Sequence, residues 1–358
     1  MQKVDESILA KVVTNFENRK MITRFCASDF TVFSNLEVKF SPKINIFIGE
    51  NGTGKTHLMK AVYAACCLIN KKIETPFDKK INSVFTPNSI GRLVRRSVGR
   101  GSGSISVYRQ DEGEANERSI SLALTTLNKA TVKQKAWQID KDVEAVFVPV
   151  KDMLANAPGF RSLFSQKKLS YEEVYLDVID KAFLPLPKGK PAPERKKLLD
   201  ILNKAMSGKV IAKEETFYIK NRNGELEFPL LAEGFRKLGL IYRLIQNETL
   251  THGSMLFWDE PEANLNPKLS KVVVEILLEL SRMGVQIFVA THDYVLLKEF
   301  DLAANEEDEV LYHALYRNNY GELQHQSTTD IGKLEQNSID DTFSRILDDE
   351  IQKGLAEL

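Results

Sequence analysis

The chain has 358 residues, and its 49 Lys and Arg balance its 49 Asp and Glu, so the formal net charge at neutral pH is zero. That neutrality argues against a protein that coats nucleic acid through bulk positive charge. With 43% hydrophobic and 27% charged residues, the composition is that of a globular protein and excludes an acidic disordered chain. At roughly 150 residues per domain, the length allows two domains or one large α/β domain carrying an insertion.

Residues 1–20 read as a short amphipathic arm. Apolar alternation around Ile22–Cys26, Leu36–Phe40 and Ile44–Ile48, broken at Ser34-Asn35 and Ser41-Pro42, predicts three short strands. A glycine-rich loop follows the third, and a helix runs from Lys55 to about Ile69. Residues 70–140 are more polar, with alternating runs at Ser104–Arg109 and Arg118–Leu124 that suggest an antiparallel sheet. Ala145–Val150 reads as a buried core strand. Residues 151–207 look mostly helical around the proline-rich Leu184–Pro193, and Thr216–Lys220 with Glu225–Phe228 form a hairpin. A helix is expected over Ala232–Gln246. The parallel-sheet pattern then returns as strand Ser254–Trp258, helix Pro267–Met283 and strand Val285–Ala290. A strand pair (Val310–Leu315 and Glu322–Gln326) and a charged helix from Asp340 to Leu358 close the chain. No heptad pattern persists, so no long coiled coil is expected.

Two segments carry chemistry. Gly49-Glu50-Asn51-Gly52-Thr53-Gly54-Lys55-Thr56 matches G-x-x-x-x-G-K-[ST] in full, between a strand and a helix. Backbone N–H groups of such a loop turn inward around a phosphate, and the helix N-terminus adds partial positive charge. Lys55 is placed to reach the β- and γ-phosphates, Thr56 to bind Mg²⁺, and His57 to approach the α-phosphate side through its backbone N–H. The second segment, Met255–Glu262 (MLFWDEPE), is an apolar strand ending in adjacent carboxylates. Asp259 is the second Mg²⁺ residue. Glu260, one residue past the strand, is placed to polarise an attacking water. His292 follows the next apolar strand, at the carboxyl edge where loops of an open α/β sheet converge. ATP and Mg²⁺ are therefore the expected cofactors.

These pieces, in this order, resemble the ABC-type ATPases. IGENGTGKT, LFWDEPEANLNP and VATHD are similar to the compact AAA-type ATPases related to RecF, the SMC proteins and the OLD nucleases. The resemblance covers residues 21–60 and 228–315 well and the middle only loosely. It implies a P-loop NTPase fold: a central, mostly parallel sheet, an antiparallel β subdomain and an inserted helical lobe. The implied division is an arm (1–20), a first core part (21–70), a middle lobe (71–227), a second core part (228–330) and a helical tail (331–358).

The resemblance also implies a homodimer or higher homo-oligomer, with each ATP held between the phosphate loop of one subunit and the signature loop of the other. The matching segment, Leu231-Ala232-Glu233-Gly234-Phe235, departs from the family's L-S-G-G-Q: Ala232 has no hydroxyl, and Glu233 brings negative charge. Gly234 and the helix dipole remain as its basis for phosphate contact. Asn264-Leu265-Asn266 stands where the family's D-loop crosses the interface. After Val150, where the family offers a glutamine to Mg²⁺, this chain has Lys151 and Asp152.

Partners are less legible. Lys79–Arg100 holds six basic residues and no acid, a candidate DNA or RNA contact. A second basic run, Lys188–Lys197, reads as solvated linker. The stretch after His292 is too short for the carboxylate-rich nuclease domain of OLD proteins, so the resemblance points to a separately encoded effector, a nuclease or toxin, in anti-phage defence. A RecF-like DNA-repair ATPase is the alternative. Cys26, Cys66 and Cys67 fit neither a disulfide framework nor zinc spacing. With no signal-peptide pattern and no run of ~18 apolar residues, a cytoplasmic location without a membrane partner is expected.

Overall fold

The computed structural model describes residues 20–96, 98–111, 116–140, 142–166, 170–334 and 337–356. The expected N-terminal arm, apart from Lys20, lies outside them, as do Glu112 and Glu114 near the basic run. In chain order the elements are β1 (Lys20–Phe30), β2 (Phe33–Lys39), β3 (Ile44–Ile48), α1 (Lys55–Cys66), α2 (Phe77–Phe85), β4 (Ser102–Asp111), β5 (Arg118–Thr125), β6 (Ala130–Lys135) and β7 (Ala145–Val148). Next come α3 (Phe160–Ser165), α4 (Glu173–Ala182), α5 (Pro193–Met206), β8 (Lys209–Lys213), β9 (Thr216–Asn221), β10 (Gly224–Glu227) and α6 (Glu233–Gln246). The chain continues through β11 (Met255–Asp259), α7 (Ser270–Arg282), β12 (Gln286–Ala290), α8 (Tyr294–Ala303), β13 (Val310–Arg317), β14 (Leu323–Thr328) and α9 (Ser338–Ala356).

The central sheet has the order β14-β13-β3-β12-β11-β7, with only β14 antiparallel. Strands β3, β12, β11 and β7 are buried along their whole length because both faces of the sheet are covered. Alternate residues divide between two cores. Ile44, Ile46, Val146, Leu256, Trp258 and Ile287 face the helical lobe with α5 to α8. Phe47, Phe147, Phe257 and Phe288 face α1 and the antiparallel sheet. Phe147, Phe257 and Phe288 share one register rung, with ring centroids 6.4 and 4.6 Å apart; aromatic neighbours of this kind add to simple area burial.

The antiparallel sheet runs β2-β1-β4-β5-β6, so β1 and β2 pair with the lobe strands rather than with β3. Gln286 joins the two sheets: its side chain accepts from Ile22 N (2.9 Å) and donates to Ile22 O (2.8 Å) and Ser41 O (2.9 Å). A third sheet, β10-β9-β8, completes the hairpin expected from sequence.

Three details differ from the sequence reading. The helix after the phosphate loop ends at Cys66 rather than Ile69, because Leu68 N and Ile69 N bond three residues back and tighten the last turn. Helix α2 was not expected in the polar stretch. Its inner face is Phe77, Lys80, Ile81 and Val84, and the lysine, buried against Asp177 (2.8 Å) and Glu173 (3.3 Å), masks the apolar period. Lys80 therefore does not belong to the basic surface run. Strand β6 is almost wholly exposed, so no alternation marked it.

A histidine pair lies on β13 and β14, with His313 buried and His325 partly so. His313 Nδ1 lies 3.1 Å from His325 Nε2, and His313 Nε2 lies 3.2 Å from Asn45 Oδ1. Burial depresses both, His325 to about 4. Unfolded, a histidine protonates near 6.5, so between those values the unfolded chain binds more protons. The stability this site contributes is complete above pH 6.5 and is lost as pH falls toward 4. Urea unfolding should show the native chain losing roughly 2 kcal/mol more than His325→Gln between pH 7 and pH 4.5; parallel curves would contradict it.

Candidate nucleotide site

The parallel alignment of β3, β12 and β11 brings their carboxyl ends to one edge, and the sequence-predicted residues of the phosphate loop and acidic strand meet there. Gly49 is required by its surroundings: its φ is +142°, and a Cβ would lie 2.1 Å from Leu315 O. Gly54, at φ +93°, precedes α1, and a Cβ there would lie 2.6 Å from Val32 Cγ2. The loop is further set by Thr53 Oγ1 donating to Glu50 O (2.8 Å). Lys55 Nζ reaches back across it to donate to Gly49 O (2.5 Å) and Glu50 O (3.1 Å). Burial lowers the Lys55 pKa, opposed by the charges of Glu260, Asp259 and Glu262.

Thr56 Oγ1 donates to Asp259 Oδ2 at 2.9 Å, joining residues 203 positions apart. Asp259 is buried, and that burial pushes its pKa up to about 6 despite the Thr56 bond. A hydroxyl and a carboxylate held together beside a phosphate loop fit an oxygen-ligated Mg²⁺.

Glu260 follows Asp259 with a left-handed backbone, φ +48°, a conformation costing a non-glycine residue about 1 kcal/mol or more. Its Oε1 lies 3.3 Å from His292 Nδ1, and the imidazole is half exposed. A general base must reach its water, and Glu260 lines the same opening as the phosphate loop. Asn51, Gly52, Gly54, Lys55, Thr56, His57 and Glu260 line that opening, with Val32 from the β1–β2 turn. The His57 ring is mostly buried near Phe85, and burial lowers its pKa.

Two residues hold this geometry in roles the sequence did not assign them: Lys237, readable there only as a counter-charge to Glu233, and Glu262. Lys237 on α6 is 1% exposed, and its Nζ donates to the backbone carbonyls of Ala263 (2.8 Å) and Glu260 (3.3 Å). Glu262 Oε1 accepts from Thr291 Oγ1 (2.7 Å) and His292 N (3.3 Å), tying the loops after β11 and β12 together. The acidic motif contains Glu262, but nothing local distinguishes its inward role from solvent exposure.

The signature segment packs against the turn after Glu262 within its own subunit. Gly234 packs on the 264–265 turn, where a Cβ would meet Asn264 O at 3.0 Å. It is not among the residues lining the phosphate-loop opening. Glu233 turns away from that opening and accepts from Asn264 Nδ2 (2.9 Å) and Asp152 N (3.3 Å). Arg236 pairs with Asp152 at 2.9 Å. Asp152, at the position where the family places a glutamine, thus anchors the signature helix.

This fold and its phosphate loop are those of the P-loop nucleotide-binding class. A family model described as "AAA domain, putative AbiEii toxin, Type IV TA system" matches residues 107–298, more than half of the chain, and the protein belongs to that family. The "DNA replication and repair protein RecF" of Phocaeicola vulgatus is 44% identical over 168 residues, which is 44% of this chain and 41% of that protein. RecF of Listeria welshimeri is 53% identical over 34 residues, 10% of this chain and 9% of its own length. The chain thus spans less than half the length of these curated relatives. Among solved structures, an Smc head bound to the C-winged helix domain of ScpA has a TM-score of 0.58 at 12% identity, covering 88% of this chain and 100% of that one. An Smc head with an extended coiled coil bound to the C-terminal domain of ScpA derived from Pyrococcus furiosus has a TM-score of 0.56 at 12% identity, covering 93% and 100%. These structural likenesses establish the fold. No helix among the described residues is long and apolar enough to cross a membrane.

Asp259 gives the site a measurable cost. Between about pH 4 and pH 6 the folded chain keeps a proton that the unfolded chain releases, so stability falls as pH rises through that window. Asp259→Asn should raise the stability of the nucleotide-free protein at pH 8 by roughly 1–3 kcal/mol and abolish the extra stabilisation by Mg²⁺-ATP. Thermal unfolding with and without Mg²⁺-ATP reads both effects, and a lower melting temperature for the nucleotide-free variant would contradict the assignment.

Proposed function

We propose that the protein binds ATP with Mg²⁺ at the phosphate loop, hydrolyses it, and dimerises head to tail around it. The observation that carries this reading is the half-built character of the site. Thr56, Asp259, Lys55, Glu260 and His292 are assembled, yet the opening lined by Lys55, Thr56 and Glu260 measures only about 170 Å³, below the ~300 Å³ at which enclosed ligand pockets begin. A second subunit presenting the α6 N-terminus and the Asn264 turn would complete it.

Lys55 exchanges the Gly49 and Glu50 carbonyls for phosphate oxygens. Gly49–Thr56 supplies inward N–H groups, with the His57 N–H beside them. Magnesium, when bound by Thr56 and Asp259, neutralises phosphate charge. Glu260 accepts a proton from the attacking water, and His292 orients the Glu260 carboxylate while Lys237 and Glu262 hold both loops in place. Gly234 would contribute its backbone N–H across the dimer. Glu233 is compatible with that role because Asn264 and Asp152 hold it aside.

The biological reading is an ATP-driven switch that controls a separately encoded nuclease or toxin in anti-phage defence, supported by the toxin–antitoxin description of the family. A second reading, a RecF-like ATPase acting on DNA, is favoured by one observation. Arg92, Arg95, Arg96 and Arg100 are all exposed beside the antiparallel sheet, with Asp29 3.8 Å from Arg95.

Glu260→Gln should lower ATP turnover by a factor of about 10² or more while ATP binding is retained; unchanged turnover would remove Glu260 from the mechanism. In an assay of DNA-stimulated turnover, Arg95→Glu with Arg96→Glu should abolish any stimulation and flatten its salt dependence. Stimulation that survives this change would move the DNA contact elsewhere.

A further inference from the structure

We propose that the groove beneath the proline-rich loop is a second anion site, taking a small oligophosphate. This stands independently of the nucleotide reading. The basic run Lys188–Lys197 reads as solvated linker in the sequence, but its exposed loop lies over the start of α5 and borders an open groove of about 520 Å³ with the last half of α6. That volume is within the range of small-molecule sites.

Its charge is unbalanced. Lys188 and Lys190 of the loop, Arg195 and Lys196 of the first turn of α5, and Lys209 of β8 all line it, against the carboxylates of Asp200 and Glu248. Arg195 pairs with Glu248, and its buried Nε has no acceptor. Among the described residues, none of the four lysines has an ion-pair partner. Five cations drawn from three segments converge on one groove, where a multivalent anion would meet several of them at once. A buried N–H without an acceptor likewise favours an incoming oxygen. The cations converge on one cavity rather than along a track, which favours a compact oligophosphate over a nucleic-acid backbone or an extended acidic peptide. Tyr242, Leu186 and Leu199 supply an apolar wall.

The placement also suggests what occupancy does. Tyr242 and Gln246 lie on α6, whose first turn carries Glu233 and Gly234. At 1.5 Å per residue the helix spans about 20 Å, so the groove and the proposed dimer contact share one rigid element.

The test uses the full chain with Lys55→Ala, which removes the phosphate loop as a competing site, titrated calorimetrically with inorganic tripolyphosphate. Saturable one-to-one binding is expected. It should weaken about ten-fold or more when Lys188→Ala and Lys190→Ala are added, and be unchanged by the exposed control pair Lys71→Ala and Lys72→Ala. Lack of saturation, or equal affinity with and without Lys188 and Lys190, overturns the proposal. So does binding of a single-stranded oligonucleotide or a polyglutamate peptide at this groove where tripolyphosphate does not bind. A second measurement needs no variant: lysine acylation of the native chain, read by mass spectrometry. Tripolyphosphate should protect Lys188, Lys190, Lys196 and Lys209 more than Lys71 and Lys72, and uniform protection contradicts the site.

Discussion

Asp259 is a carboxylate held out of water with one hydroxyl for company, and much of the molecule is arranged to keep it there. Its strand is buried on both faces, with Trp258 in one core and Phe257 in the other. Thr56 can reach it only because β3 and β11 run parallel, one strand apart, and end at the same edge. A buried, uncompensated charge is unstable unless it is protonated or paired with a cation. The raised pKa at Asp259 is therefore the local mark of a site whose stability and function oppose each other. Glu260 repeats the compromise in its backbone, holding a left-handed turn that Lys237 fixes through the Glu260 and Ala263 carbonyls.

What the sequence made legible was local. The phosphate loop and the acidic strand end each occupy eight consecutive residues, and their flanking apolar runs declare the strands they follow. Contacts made at long range left no such trace. Lys237 meets carbonyls 23 and 26 positions away, and no period or motif marks a lysine that turns inward to bind backbone oxygen. Gln286 staples two sheets through residues some 240 and 264 positions distant. It reads in sequence as the polar first residue of an apolar strand. Helix α2 was hidden by a buried lysine on its inner face, and β6 by having almost no inner face.

The departures from the ABC signature take on a consistent shape. Glu233 would repel a phosphate if it faced one, yet both of its oxygens are engaged by Asn264 and by the Asp152 backbone. Arg236, one turn along, closes the same cluster on the Asp152 side chain. The signature helix, the turn after Glu262 and the segment after β7 are thereby tied within one subunit. Net neutrality, which seemed to say most about partners, says least. The lysines of the proline-rich loop and the exposed arginines before β4 are separate local concentrations of charge, and each is cancelled only in the sum over the whole chain.

The central claim is a nucleotide site shared between two copies, and subunit mixing tests it most directly. Lys55→Ala destroys the phosphate-loop half, and Gly234→Arg destroys the signature half on the other surface. Each folded variant alone should be inactive. Mixed in equal amounts, random pairing leaves half of the dimers with one intact composite site, so about a quarter of the original ATP turnover should return. If the mixture stays as inactive as its components, or if Gly234→Arg alone hydrolyses ATP normally, the site belongs to one chain and the head-to-tail account is wrong.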